Sequence, residues 1–264
     1  MTNAPGFPEQ VNVTPIPAFN DNYIWCLHNN SHAIVVDPGD ADPVLAFCRQ
    51  QGLTLSAVLI THHHRDHTGG IASLSAAVKD LPVIGPRGGH ISGITKSVAQ
   101  GDMVKLPAID CEFSVLEVPG HTLDHIAYVG HNALFCGDTL FAAGCGRLFE
   151  GTAEQMHRSL NKIKRLSPAT AIYCTHEYTQ ANVKFALVVD TDNPKLQAYS
   201  EWVNTTRNNN CPTLPADLAT QLAINPFLRC DNEAVAKSVS QFANTELSDE
   251  IAVFSQLRKW KDNF

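Results

Sequence analysis

Residues 57–70 read AVLITHHHRDHTGG: an apolar run ends at Thr61, four histidines and an aspartate follow within six positions, and two glycines close the stretch. The short run is β-branched and apolar, which predicts a buried strand. His62, His64 and Asp66 alternate, so in an extended segment they project to one side, and His67 follows as the chain turns at Thr68-Gly69-Gly70. Such a set can serve two cations. Imidazole suits zinc, iron and similar metals, the carboxylate offsets their charge, and glycines let the backbone bend sharply around them. Burying four unpartnered histidines costs free energy and exposing them gains nothing, which argues against an accidental cluster.

The same signature recurs downstream. His121 stands in VPGHT (118–122), Asp138 in GDTLF (137–141) and His176 in THEYT (175–179), each one to three residues after an apolar run. One histidine after a strand is ordinarily a hydrogen-bonded loop residue. Four strand ends that all finish in metal-capable groups point to one centre. The remaining histidines read as ordinary, with His125 the candidate to support a ligand from behind.

Further strands are expected at 24–28, 33–37, 82–84, 112–118, 125–129, 133–136 and 171–174, and helices at 43–51 and 71–79. Thr152 and Gln155 have the spacing of a capping box ahead of a third helix. Mixed strands and helices predict sheet layers covered by helices, an α/β fold. From Glu177 onward the apolar residues recur at helical spacing, punctuated at DTDNP, NNNCPTLP and NPFLRCDN. A domain over 1–176 followed by a helical domain over 177–264 is therefore expected.

With 264 residues, 44% hydrophobic and 17% charged, the chain can bury a sizeable core. A formal net charge of −7 gives nucleic acid or an anionic membrane no general attraction. No apolar run nears the roughly 18 residues of a membrane helix, and the first ten residues lack the features of a signal peptide, so a cytoplasmic monomer is expected. Eight cysteines without a Cys-x-x-Cys pair read as buried thiols. The last helix places Asp249 and Glu250 in its first turn behind Ser248 as cap, and Arg258, Lys259 and Lys261 in its last, as the dipole favours. Phe254, Arg258 and Lys261 share one face, an arrangement suited to an anion.

THHHRDH, PGHT, GDTLF and HEYT, in this order, resemble the metallo-β-lactamase superfamily, and FNDNYIW, GCGRLFEGT, NPFLR and LRKWKDNF narrow the resemblance to its hydroxyacylglutathione hydrolase (glyoxalase II) family, over residues 16–264. The resemblance implies an αββα sandwich with a C-terminal helical domain. It also implies two divalent metal ions, with zinc first and iron or manganese as alternatives, and hydrolysis of S-D-lactoylglutathione to glutathione and D-lactate, the second step of methylglyoxal detoxification. His62, His64 and His121 would hold one metal, Asp66, His67 and His176 the other, and Asp138 both. Two adjacent cations lower the pKa of a shared water and polarise the carbonyl it attacks. A thioester releases a thiolate whose conjugate acid has a pKa near ~8–9, so no strong general acid is required. Asp66 and Asp138 would be the catalytic carboxylates, Asp66 by orienting the hydroxide. Arg147, Tyr178, Arg258 and Lys261 would hold the glutathione moiety. The sequence departs from the family where Arg147 and Phe149 stand for the frequent lysine and tyrosine, and where Thr175 stands for glycine. A persulfide dioxygenase, which uses one iron, a lactonase or a nuclease would share the metal motifs without the helical tail, and an inert metal-binding protein would share the donors alone.

Overall fold

The computed structural model describes residues 6–88, 90–247 and 249–264. By density of contacts the chain falls into two compact units, one of Met1–Glu117 with Asp124–Gly137 and one of Val118–Leu123 with Asp138–Phe264. This division is a different cut from the one expected after His176.

The first unit contains strands β1 (Asn12–Ala18), β2 (Asn22–His28) and β3 (His32–Val36), helix α1 (Ala41–Gln51), strand β4 (Thr54–Leu59), helices α2 (Arg65–Thr68) and α3 (Ile71–Ala77), and strands β5 (Val83–Pro86) and β6 (Lys96–Val98). Strands β7 (Met103–Leu106), β8 (Cys111–Glu117), β9 (Ile126–Gly130) and β10 (Ala133–Gly137) complete it. Strands β1 to β6 lie in sequence order in one sheet. β1, β2 and β3 are antiparallel, and β3 through β6 run parallel. β7 to β10 form an antiparallel meander. The buried face of the first sheet, with Ile24, Cys26, Val35, Val58 and Ile60, packs on Val44 and Cys48 of α1 and on Ile71 and Leu74 of α3. Apolar burial of this kind supplies the main drive to fold, about 25 cal/mol per Å².

Sequence periodicity misses β1, whose prolines at 15 and 17 argue against a strand. It is an edge strand, where proline's missing N–H does no harm. The expected strand at 57–61 begins at Thr54 and ends at Leu59 because Thr54 and Ser56 alternate outward. α1 begins earlier than expected, behind Asp40, whose side chain accepts from the Asp42 amide.

The second unit opens with strands β11 (Leu140–Phe141) and β12 (Gly144–Cys145), a pair too short for any period to reveal, then helix α4 (Ala153–Lys164) and strand β13 (Ala171–Cys174). The capping box is present: Thr152 Oγ1 accepts from the Gln155 amide at 3.1 Å, and Gln155 Oε1 from the Thr152 amide at 2.9 Å. Helices α5 (Thr179–Val189) and α6 (Pro194–Asn208), strand β14 (Ala216–Asp217), and helices α7 (Leu218–Ile224), α8 (Glu233–Ala243) and α9 (Glu250–Asp262) follow. Ser248, expected to cap the last helix, lies outside the described residues. Asp249 is the cap rather than a first-turn residue, and its carboxylate accepts from the Ala252 amide at 2.8 Å. Three buried amides tie the segment between β11 and β12 to the helices: Asn182 donates to Ala142 O (3.1 Å), Asn225 to Phe141 O and Gly144 O (3.1 and 2.9 Å), and Gln221 accepts from Ala143 N (2.7 Å). Among the described residues no helix is long and apolar enough to cross a membrane.

Candidate metal centre

In the first unit the donors leave the end of β4 and enter α2 at once. Asp66 and His67 occupy consecutive positions of that helical turn, so the expected extended alternation holds for His62 and His64 but not for Asp66. His64 begins the turn, and its carbonyl accepts from Thr68 Oγ1 at 3.0 Å. The backbone of α2 packs against the turn after β3: a Cβ on Gly39 would lie 1.9 Å from the Asp66 carbonyl oxygen, so only glycine fits.

Asp37, beyond the end of β3 with φ of 54°, organises this half. Its Oδ1 accepts from the Thr61 amide (2.8 Å), and its Oδ2 accepts from Thr61 Oγ1 (2.7 Å) and lies 3.0 Å from His67 Nδ1. The Thr61 hydroxyl is spent on Asp37 and accepts from His62 Nδ1 at 3.0 Å, which places the His62 hydrogen on Nδ1 and leaves Nε2 as its lone-pair atom. The same carboxylate faces His67 Nδ1 and favours a hydrogen there. His62 Nε2 lies 3.1 Å from His64 Nδ1, and His67 Nε2 lies 3.5 Å from Asp66 Oδ2. Ring nitrogens and a carboxylate gathered this closely form a donor set that suits zinc or iron.

His125 stacks on His62 at 4.5 Å and 15°, as the sequence suggested for a supporting residue, and Asn22 Nδ2 donates to Asp66 Oδ2 at 3.2 Å. His63 turns away to Asp124 at 2.9 Å. Behind the strands Tyr128 donates to the carbonyls of Ile60 and Ile84 (2.8 and 3.1 Å), and burial first, then Asp37, holds its hydroxyl well above the usual phenol range. Sequence reasoning missed Asp37 and Asn22. VVDPGD shows the signal used elsewhere, an aspartate straight after an apolar run.

In the second unit the segment after β12 cradles His121. Its Nδ1 donates to the Arg147 carbonyl at 2.8 Å and its carbonyl accepts from Phe149 N at 3.2 Å, while the exposed Phe149 ring meets it edge-on. Nε2 is again the lone-pair atom and lies 3.4 Å from Asp138 Oδ2, whose other histidine neighbour, His176 Nε2, is at 3.3 Å. Both rings and the carboxylate are buried, so the same cation argument applies. Gly146 lets the cradle close, since a Cβ there would lie 1.9 Å from the Asp138 carbonyl oxygen.

The expected anion-holding residues gather on this unit. Arg258 is buried, donates from Nη1 to Cys145 O at 3.0 Å, lies over Phe227 and pairs through Nη2 with Asp262 at 3.0 Å. Arg147 Nε reaches the same Asp262 oxygen at 3.3 Å. Lys261 lies beside the rings of Phe185 and Phe264 and donates to Ala181 O at 3.4 Å; burial, then Arg258, pulls its pKa below the usual lysine range. The Cys145 thiol is pushed up to about 11 by burial, against the pull of Arg258. Tyr178 stacks flat on His176, with centroids 4.7 Å apart and 2° between planes. Asp262, the internal partner of both arginines, was not foreseen, because nothing in RKWKDNF says which residue it faces.

The pattern of the metallo-beta-lactamase superfamily matches residues 19–94 and 112–176, and that of the hydroxyacylglutathione hydrolase C-terminus matches 177–264. A hydroxyacylglutathione hydrolase of Nitrosomonas eutropha is 52% identical over 254 residues, 96% of this chain and 99% of that one. The chain belongs to the hydroxyacylglutathione hydrolase family. Another hydroxyacylglutathione hydrolase, from Photobacterium profundum, is 53% identical over 253 residues, 96% of this chain and 99% of its own. A solved structure described as di-iron-bound is similar at TM-score 0.52 and 26% identity, covering 62% of this chain and 92% of that one. The fold is the metallo-β-lactamase fold with a C-terminal helical region, as the motifs implied.

Proposed function

We propose that the chain hydrolyses S-D-lactoylglutathione to glutathione and D-lactate at a dinuclear centre, with His62, His64 and His121 holding one divalent metal, Asp66, His67 and His176 the other, and Asp138 both. The observation that carries this reading is the setting of the rings. His62 and His121 each have Nδ1 hydrogen-bonded to an oxygen, and His67 Nδ1 lies 3.0 Å from Asp37, which leaves Nε2 to meet a cation. That is the state in which imidazole ligates a cation without first losing a proton. The metals, zinc or else iron or manganese, would supply a polarised thioester carbonyl and a water acidic enough to attack it near neutral pH.

The residues of the chain do the rest. Asp66, steadied by Asn22, would orient a water beside the metals, and Asp138 would offset the charge of the cations these residues hold. Arg258 and Lys261, with Arg147 and the Tyr178 hydroxyl, hold the carboxylate and peptide of glutathione. In the last helix two cations sit among Phe227, Phe185 and Phe264 with Asp262 as one carboxylate partner, so the cluster keeps positive charge to offer an anion. Phe149 brings no hydroxyl to this task, so the hold on the peptide rests more on Arg147. Residues 177–264 act as the substrate-binding region, which a lactonase or nuclease has no reason to carry.

Elemental analysis of the purified protein is expected to give up to two metals per chain, and thioester hydrolysis is expected to disappear on chelation. One tightly bound iron per chain, with oxygen consumed in the presence of glutathione persulfide, would assign the centre to dioxygenase chemistry instead.

A further inference from the structure

Glu177 lies between His176 and Tyr178 in the chain, and its carboxylate is buried. It accepts from Thr213 N at 2.8 Å and from the Thr213 hydroxyl, with Arg207 Nη1 3.7 Å away and the side chain 5% exposed. The Thr213 and Thr179 hydroxyls are hydrogen-bonded at 2.6 Å, so the chain is fixed on both sides of Tyr178. From the other direction Phe141 meets the rings of His176 and Tyr178 edge-on, at 5.9 and 5.4 Å, and its own carbonyl is held by Asn225. A buried carboxylate is costly unless donors meet it, and here donors from the segment after α6 do so.

We propose that Glu177 is a positioning residue that locks the ring of His176 and the ring of Tyr178 into one rigid pair, so that a metal ligand and a substrate contact are set by a single buried carboxylate. Glu177 is bonded to both residues, so anchoring its carboxylate restrains the backbone that carries the two stacked rings. Tyr178, more than a third exposed, stacks on His176 and meets the edge of Phe141. The metal part of this inference rests on the dinuclear reading above; the ring geometry does not.

The test has one arm for each part. In metal-free protein, proton NMR is expected to show the His176 ring protons shifted upfield by the face of Tyr178, with the shift lost in Glu177→Ala. In the metal-loaded protein, Glu177→Ala is expected to release one of two metals to a chelator about 10- to 100-fold faster, the usual effect of removing a group that orients a ligand. Glu177→Gln should restore most of both signals, because its amide oxygen can accept from Thr213 N while the Thr213 hydroxyl turns to meet the amide nitrogen. Should Glu177→Ala not fold, Thr213→Val, which removes only the hydroxyl donor, carries the same two measurements with a smaller loss expected. A folded variant that keeps the wild-type ring shift overturns the proposal, whatever the protein hydrolyses. If the ring shift is lost while wild-type protein takes up fewer than two metals, it is the dinuclear reading that fails.

Discussion

Asp37→Asn replaces one oxygen by NH2 in a carboxylate that accepts from Thr61 N and Thr61 Oγ1 and faces His67 Nδ1 at 3.0 Å. The Thr61 amide cannot reverse, so the remaining oxygen must stay at the Oδ1 position and the new NH2 takes Oδ2. There it donates. His67 Nδ1 must then accept, which sends the His67 hydrogen to Nε2. The Thr61 hydroxyl must also accept from the new amide, so its hydrogen turns to His62 Nδ1 and sends that hydrogen to Nε2 as well. One substitution thus moves the protons of two rings onto the nitrogens that face His64 and Asp66. Each hydrogen bond to the charged carboxylate contributes about 1.5–3 kcal/mol, so metal affinity is expected to fall roughly 10- to 150-fold. Competition against a chelator of known affinity measures the loss, and nitrogen chemical shifts of the imidazoles in metal-free protein report the two tautomers directly. Wild-type tautomers together with a metal affinity within twofold of wild type would refute the reasoning.

Asp138→Asn removes the charge nearest both His121 and His176 and is expected to lower kcat by several orders of magnitude with loss of at least one metal; near-normal turnover would show that Asp138 does not serve both cations. Lys261→Ala should raise KM about 10- to 150-fold with kcat nearly unchanged, because a grip on a remote carboxylate is alike in ground and transition states. Arg258→Ala should raise KM similarly and also lower Tm, since Arg258 is buried against Phe227 and holds the Cys145 carbonyl; a fall in Tm with unchanged KM would make it a helix-packing residue alone. His157 is held below its ordinary value of 6.5 chiefly by burial, with Lys164 adding to this and Glu250 at 3.3 Å and Asp231 opposing it. As pH falls below 6.5 the unfolded chain takes up a proton that the folded chain resists, so stability should decline there, and His157→Gln should flatten the decline in Tm.

The strand-end rule singles out His62, His64, Asp66, His67, His121, Asp138 and His176 because each pairs two local signals, an apolar run and a metal-capable side chain. Asp37 carries the same signals and was not singled out; what it does depends on where Thr61 and His67 lie, 24 and 30 positions downstream. β1 was hidden because proline disfavours strands except at an edge, and edge position is a property of the sheet. The short β11 and β12 exist because Asn182, Gln221 and Asn225 hold their connecting segment, and those amides come from helices far along the chain.

Residue chemistry and spacing by themselves determined which side chains of this protein are suited to a cation, the α/β character of its first part, the helical character of its tail and the capping of α4. These are short-range matters, decided by side-chain type and by the period of one element. Tertiary structure alone decided which oxygens meet the Nδ1 atoms of His62, His67 and His121, that Asp66 sits on a helical turn, and that Asp262 joins Arg147 to Arg258. The oxygen that meets a ring nitrogen is brought by folding from a distant position, and one oxygen of Asp37 bears on two histidines at once, on His67 directly and on His62 through the Thr61 hydroxyl.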